Sequence, residues 1–183
     1  MSKRKPFNLP DKEFQFWKPI GLNGKNYSFD HLNAVKRKFQ HPEREEYYVV
    51  YITISHHVFT VDLEKADDSH SFQYPYKRED PRYFCEKRYE LSFNLPKILE
   101  ELPSLHCYHG GYGRYCICQF DDGNGNKIYY QVVFRTWRAQ KKLRLHVESA
   151  YPLPGHPGKT KKVSFWVIFY NLLNGKKPPS PGR

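Results

Sequence analysis

Cysteine, methionine and long apolar runs are scarce in this chain. Its 183 residues include four cysteines and one methionine, which excludes a disulfide-dense secreted scaffold. Cys85, Cys107, Cys116 and Cys118 are expected as reduced, mostly buried thiols. The most apolar run, residues 163–173, is interrupted by Ser164 and Asn171 and is about half the ~20 residues a membrane span needs. No apolar h-region follows the basic start, so no secretory signal is expected and the chain is expected to stay in the cytoplasm, off membranes. There is no Walker A loop, no G-x-G-x-x-G, no H-E-x-x-H and no G-x-S-x-G. Gly110 and Gly111 lack the Lys-Ser/Thr of a phosphate loop and read as a turn. Cys107, His109, Cys116 and Cys118 lack the spacing of a zinc knuckle. The acidic pairs Asp67-Asp68 and Asp121-Asp122 sit in predicted loops without a second acidic element. No metal and no cofactor are expected.

Acid is scarcest near the C-terminus. Residues 135–183 carry eleven lysines and arginines against one acid, Glu148, so +10 of the net charge of +11 lies there. Aromatic residues make up 17% of the chain, enough for a core and for stacking on bases. A basic surface interleaved with aromatics points to a polyanionic partner, RNA before DNA.

The pattern predicts an α+β fold: an antiparallel sheet of five or six strands with two or three helices packed on it. Residues 1–27 read as an N-terminal arm, 28–175 as one domain and 176–183 as a flexible basic, proline-rich tail. A helix is expected after Ser28, with Phe29, Leu32, Val35 and Phe39 on one stripe and His31 and Lys38 on the flank. Residues 47–54 and 58–63 are expected strands, 64–84 a long loop, 88–93 a short strand and 95–102 a short helix ended by Pro103. Residues 115–120 and 127–135 read as a hairpin, 142–150 as a strand, and Ser164 as the cap of a final helix closing at Asn174-Gly175.

Metal-free RNA cleavage needs a base for the ribose 2′-OH, an acid for the leaving oxygen and a cation for the phosphate. Three places offer such groups: His31 with Lys38, the pair His56-His57, and the strand carrying Arg144, His146, Ser149 and Tyr151. On the expected strand, Arg144, His146 and Glu148 share a face. The catalytic candidates are therefore His31, Arg144, His146, Ser149 and Tyr151. The nucleic-acid-binding candidates are Arg135, Arg138, Lys141, Lys142, Lys159, Lys161 and Lys162. An ordinary amphipathic strand with a solvated basic flank is the competing reading.

The order of a histidine-bearing helix, sheet strands and a last strand ending Ser149-Ala150-Tyr151-Pro152 resembles the barnase–EndoU–colicin–RelE-like ribonuclease superfamily. The whole chain is also similar to a bacterial family labelled stationary-phase growth adaptation protein, or heat-shock protein C. The superfamily resemblance implies a metal-independent endoribonuclease, toxin-like or stress-responsive, restrained by a small acidic antitoxin or immunity protein. The alternative is a non-catalytic nucleic-acid-binding protein using the same basic face.

Overall fold

Alternation, not helical spacing, governs the segment Val35–Gln40. The computed structural model describes residues 16–66, 72–74, 81–111, 114–117, 120–121, 127–155, 161–177 and 179. In chain order the strands are β1 (Ile20–Leu22), β2 (Lys25–Tyr27), β3 (Val35–Gln40), β4 (Tyr47–Ile54), β5 (Thr60–Asp62), β6 (Gln73–Tyr74) and β7 (Arg82–Phe84). Helices α1 (Glu86–Ser92) and α2 (Leu95–Glu101) follow. Then come β8 (Cys107–Gly111), β9 (Arg114–Ile117), β10 (Phe120–Asp121), β11 (Lys127–Ile128), β12 (Tyr130–Ala139), β13 (Lys142–Pro152), β14 (Lys162–Val163) and helix α3 (Phe165–Leu173).

The main sheet has seven strands in the order β14-β8-β9-β12-β13-β4-β3. Six were expected at most, and all antiparallel. The α-with-β composition stands, but the sheet is larger and mixed, because β4 and β13 pair in parallel. A parallel pair needs a long crossover; here it contains α1, α2 and strands β8, β9 and β12, so neighbours in space lie far apart in sequence.

Other expectations change as well, beginning with the long loop expected over 64–84, which holds β6 and β7, paired with β5 in a small three-stranded sheet. The helix after Ser28 is a single 3-10 turn, Asp30–Leu32, followed by β3. Val35 and Phe39 are four apart, a spacing that fits both a helix and a strand. The choice falls to the strand because Lys36, Lys38 and Gln40 alternate outward while Phe39 is buried. The short strand expected at 88–93 is instead α1, started by Cys85. Its Glu-Lys-Arg-Tyr-Glu-Leu composition favours a helix. Strands 47–54 and 142–150, the pairing of 115–120 with 127–135, and the helix at 95–102 are found near their expected positions. Ser164 caps α3 by accepting from the Trp166 N–H, and Gly175 ends it at φ +68. The turn between β12 and β13 holds Gln140 and Lys141 at positive φ, as a tight type I′ hairpin requires.

One face of the sheet forms the core. Val50, Ile52, Phe134, Leu143, Leu145 and Val147 are buried with Phe165, Ile168 and Phe169 of α3 and with Leu95, Ile98 and Leu99 of α2. Phe165 meets Phe39 of β3 edge-on at 5.0 Å. A second aromatic cluster joins β2, the three-stranded sheet β5-β7-β6 and α1. There Phe29 lies 4.4 Å from Phe59, and Tyr27 4.8 Å from Phe84. Among the described residues, no helix is long and apolar enough to cross a membrane.

Candidate nucleic-acid interface

Strand β13 carries the site because of one extra residue. In its pairing with β12, Phe134 faces Val147 but Val133 faces Ser149, so Glu148 is unopposed. Such a bulge reverses which residues point to the core. Before it the buried apolar residues are Leu143, Leu145 and Val147; after it the buried one is Ala150. Ser149 and Tyr151 therefore fall on the same side of the strand as Arg144 and His146. Four of the five catalytic candidates share one face, through a feature that alternation in the sequence cannot reveal.

Register places two rows across this outward face. The first is Lys36 on β3, Tyr51 on β4, Arg144 on β13 and Trp137 on β12. The second is Thr53, His146, Arg135 and Arg114 on β4, β13, β12 and β9. The cations lie against rings. Lys36 Nζ is 5.8 Å and Lys142 Nζ 5.0 Å from the Tyr51 centroid. Arg135 Cζ is 5.1 Å from the Trp137 ring, and at the edge of the sheet Lys38 Nζ is 4.0 Å from Tyr47. Each such pair holds a positive charge in place beside a π-face without neutralising it.

Arg144 differs from its neighbours. It is only 3% exposed, and its Nε and Nη2 have no hydrogen-bond partner. Burial holds its pKa below the usual guanidinium value, with Tyr51 acting in the opposite direction. A buried charge without a counter-charge is costly. His146 is also sealed, 2% exposed, with Nδ1 2.8 Å from Thr53 Oγ1. Glu148, the one acid of the basic quarter, is held between Arg114 and Arg135.

The remaining candidates scatter. Arg138 donates from Nη1 to the Leu173 carbonyl at 2.6 Å, capping the end of α3. Lys141 sits in the β12–β13 turn. Lys161 and Lys162 lie at the far edge of the sheet, with β8, β9 and β12 between β14 and β13. Lys159 is outside the described residues. His31 lies in the 3-10 turn, with Nε2 2.8 Å from Ser92 Oγ and its ring stacked on Phe93 at 3.9 Å. Burial lowers its pKa to about 4, against a smaller opposing pull from Asp30. It is thus neutral at neutral pH and committed to packing against α1. Lys38, expected beside it on a helix, is on the exposed side of β3.

Ser149 and Tyr151 open onto a cleft of about 670 Å³ at the end of β13, which His57, Arg82, Lys87 and Arg88 also line. Sequence reasoning picked out His57 but missed the arginines on β7 and α1, and Lys36, Tyr51 and Trp137 on the sheet. The alternation of Lys36 and Lys38 with Val35 and Phe39 was the available signal for the latter. Among the described residues no group of three or more His, Cys, Asp or Glu side chains is arranged to hold a metal ion. Burial pushes the Cys107 thiol up to about 12, and Cys118 is outside the described residues.

Comparison with known proteins corrects the family resemblance read from the sequence. The family model that matches, over residues 13–173, is that of the YjaZ family. Protein YjaZ of Escherichia coli (strain K12) is 37% identical over 179 residues, covering 94% of this chain and 99% of that protein. No solved structure matches. The matches support neither the barnase–EndoU–colicin–RelE-like superfamily nor the stationary-phase growth adaptation or heat-shock protein C label. The Ser-Ala-Tyr-Pro ending was four residues long, whereas the agreement with the E. coli protein extends along nearly the whole chain, and on that agreement the chain belongs to the YjaZ family.

Proposed function

We propose that this protein binds single-stranded nucleic acid, RNA in the first place, on the outward face of its seven-stranded sheet. The observation that carries the reading is the row Lys36–Tyr51–Arg144–Trp137, which alternates cations with rings and has an unneutralised guanidinium in its middle. Unstacked bases lie on aromatic faces and phosphates meet the exposed Lys36, while buried Arg144 adds its field from beneath. Duplexes hide their base faces and fit this arrangement less well. The test is fluorescence anisotropy of a labelled single-stranded RNA. If about four phosphates are neutralised, affinity falls about fiftyfold between roughly 50 and 200 mM salt. Tyr51→Ala and Trp137→Ala each weaken binding by about tenfold or more, the worth of one stacked base. Absence of binding at low salt, or equal affinity for a duplex, overturns the proposal.

Cleavage of the bound RNA without a metal is the second reading. Its support is the cleft where Ser149 and Tyr151 meet His57 and Arg88. In that reaction a base removes the 2′-OH proton, the oxygen attacks phosphorus, and the 5′-oxygen leaves with a proton, giving a 2′,3′-cyclic phosphate. His31 and His146, one committed to Ser92 and the other sealed, are poorly placed for it. The expected result is cleavage that persists in EDTA and is lost in His57→Ala; intact RNA after prolonged incubation removes this reading and leaves the first standing.

A further inference from the structure

We infer that the cleft at the end of β13 is a binding site for a nucleoside monophosphate or a closely related phosphorylated sugar, separate from the sheet face and independent of whether that face binds RNA. Its floor is built around Thr60, which is fully buried. Arg82 donates from Nε to Thr60 Oγ1 at 3.0 Å and from Nη2 to the Thr60 carbonyl at 3.5 Å. Arg88 donates from Nη1 to the same carbonyl at 2.8 Å and to the His57 carbonyl at 3.1 Å. Two guanidinium groups from different elements, β7 and α1, are thus fixed on one oxygen atom. Like charges repel at this range, and the carbonyls that hold Arg88 fix its position without cancelling its charge. Its guanidinium also lies 5.7 Å from the Tyr151 ring. Lys87 adds an exposed ammonium at the rim. A pre-positioned, charge-bearing fork such as Arg88, with the ammonium of Lys87 nearby, is what a phosphate dianion selects.

Among the described residues one acid lines the cleft, and it narrows the ligand. Asp62 takes Lys65 on Oδ2 at 3.4 Å and keeps its side chain 39% exposed, while its Oδ1 is shut off from solvent and has no hydrogen-bond partner. The exposed part of that carboxylate accepts from an O–H or N–H donor. A phosphate monoester dianion carries none, and the one hydroxyl of hydrogen phosphate sits on the group that the cations hold, whereas a sugar hydroxyl is offered at a distance from it. A ligand carrying phosphate at one end and hydroxyls a few ångströms away satisfies Arg88 and Lys87 with one group and Asp62 with the other. The volume of about 670 Å³ falls within the range of small-ligand clefts.

The experiment is isothermal titration of the full chain with AMP, adenosine and inorganic phosphate, together with the variants Lys87→Glu and Asp62→Asn. AMP is expected to bind at least about tenfold more tightly than either adenosine or phosphate, since each of those lacks one of the two recognised groups. Lys87→Glu weakens both AMP and phosphate. Asp62→Asn weakens AMP and leaves phosphate unchanged or improved. Thermal melting of each variant separates loss of the site from loss of the fold, and Lys87, being exposed, is the variant expected to melt with the parent. A short RNA with a 5′-phosphate, compared with its 5′-hydroxyl form in a Tyr51→Ala background, distinguishes an RNA end from a free nucleotide as the source of the group. AMP binding no tighter than adenosine, or unchanged in a folded Lys87→Glu protein, overturns the inference without touching RNA binding at the sheet face.

Discussion

The two faces of β13 are built from alternate residues of one strand and obey opposite rules. On one side Leu143, Leu145 and Val147 disappear into the core with α3. On the other, Arg144 and His146 are buried almost as fully, yet among polar and aromatic neighbours. Apolar burial on the first side stabilises in proportion to the area removed from water. Burial of Arg144 on the second costs stability, because two of its nitrogens have no partner. The comparison teaches that degree of burial alone does not separate scaffold from site; what separates them is whether the buried atoms are satisfied.

The sharpest break in this comparison comes from the core side. Phe134→Ala removes a ring that is 1% exposed and is expected to cost about 3–5 kcal/mol, read by urea denaturation. Arg144→Met tests the other side with the opposite sign. Replacing an unpaired buried cation by an apolar side chain of similar length is expected to leave stability unchanged or raise it by about 1–3 kcal/mol, while RNA affinity falls. If Arg144→Met instead unfolds the protein, the guanidinium is structural and the distinction between the faces fails. A smaller effect is expected at His31. Its folded pKa, about 4, lies below the unfolded value near 6.5, so the unfolded state binds the extra proton between those values. Stability is then complete above about pH 6.5 and declines as pH falls toward 4, by about 1 kcal/mol once solvent screening of a part-exposed ring is allowed for. His31→Gln flattens that slope; an unchanged pH profile in the variant shows that another group titrates there. Smallest is Lys162→Ala at the far edge of the sheet, which should leave both melting temperature and RNA affinity within error, since exposed changes lie within about 0.5 kcal/mol.

Much of the scaffold is legible where period and punctuation agree. Residues 47–54 are a run of β-branched and aromatic residues, 142–150 alternate apolar with polar side chains, and α3 has a serine cap and a closing glycine. The reading fails where a spacing suits two structures, as for Val35 and Phe39, and where local propensity is the better guide, as in α1. The parallel pairing of β4 with β13 joins residues about ninety positions apart and has no local signature. The site is legible as a strand but not as a surface. Arg144, His146, Ser149 and Tyr151 are recognisable by composition, whereas Tyr51, Lys36 and Trp137 become their neighbours only through register. The basic charge of residues 135–183 overstates the interface, because Arg138 caps a helix and Lys162 lies on another edge.

The bulge at Glu148 acts like a shift of reading frame within the strand. Everything after it is read in the other phase, so Ser149 and Tyr151 reach the outward side and Ala150 the core. The facing of the later residues is set by the ladder and not by the residue that bulges from it. Replacing Glu148 leaves the phase intact, and so does deleting it, because Val147 and Ser149 already face the adjacent residues Phe134 and Val133. Across the family, both substitution and loss of the residue at this point should therefore leave the two hydroxyls on the outward side, whereas a second extra residue drawn into the ladder between Val147 and Ser149 would turn them inward.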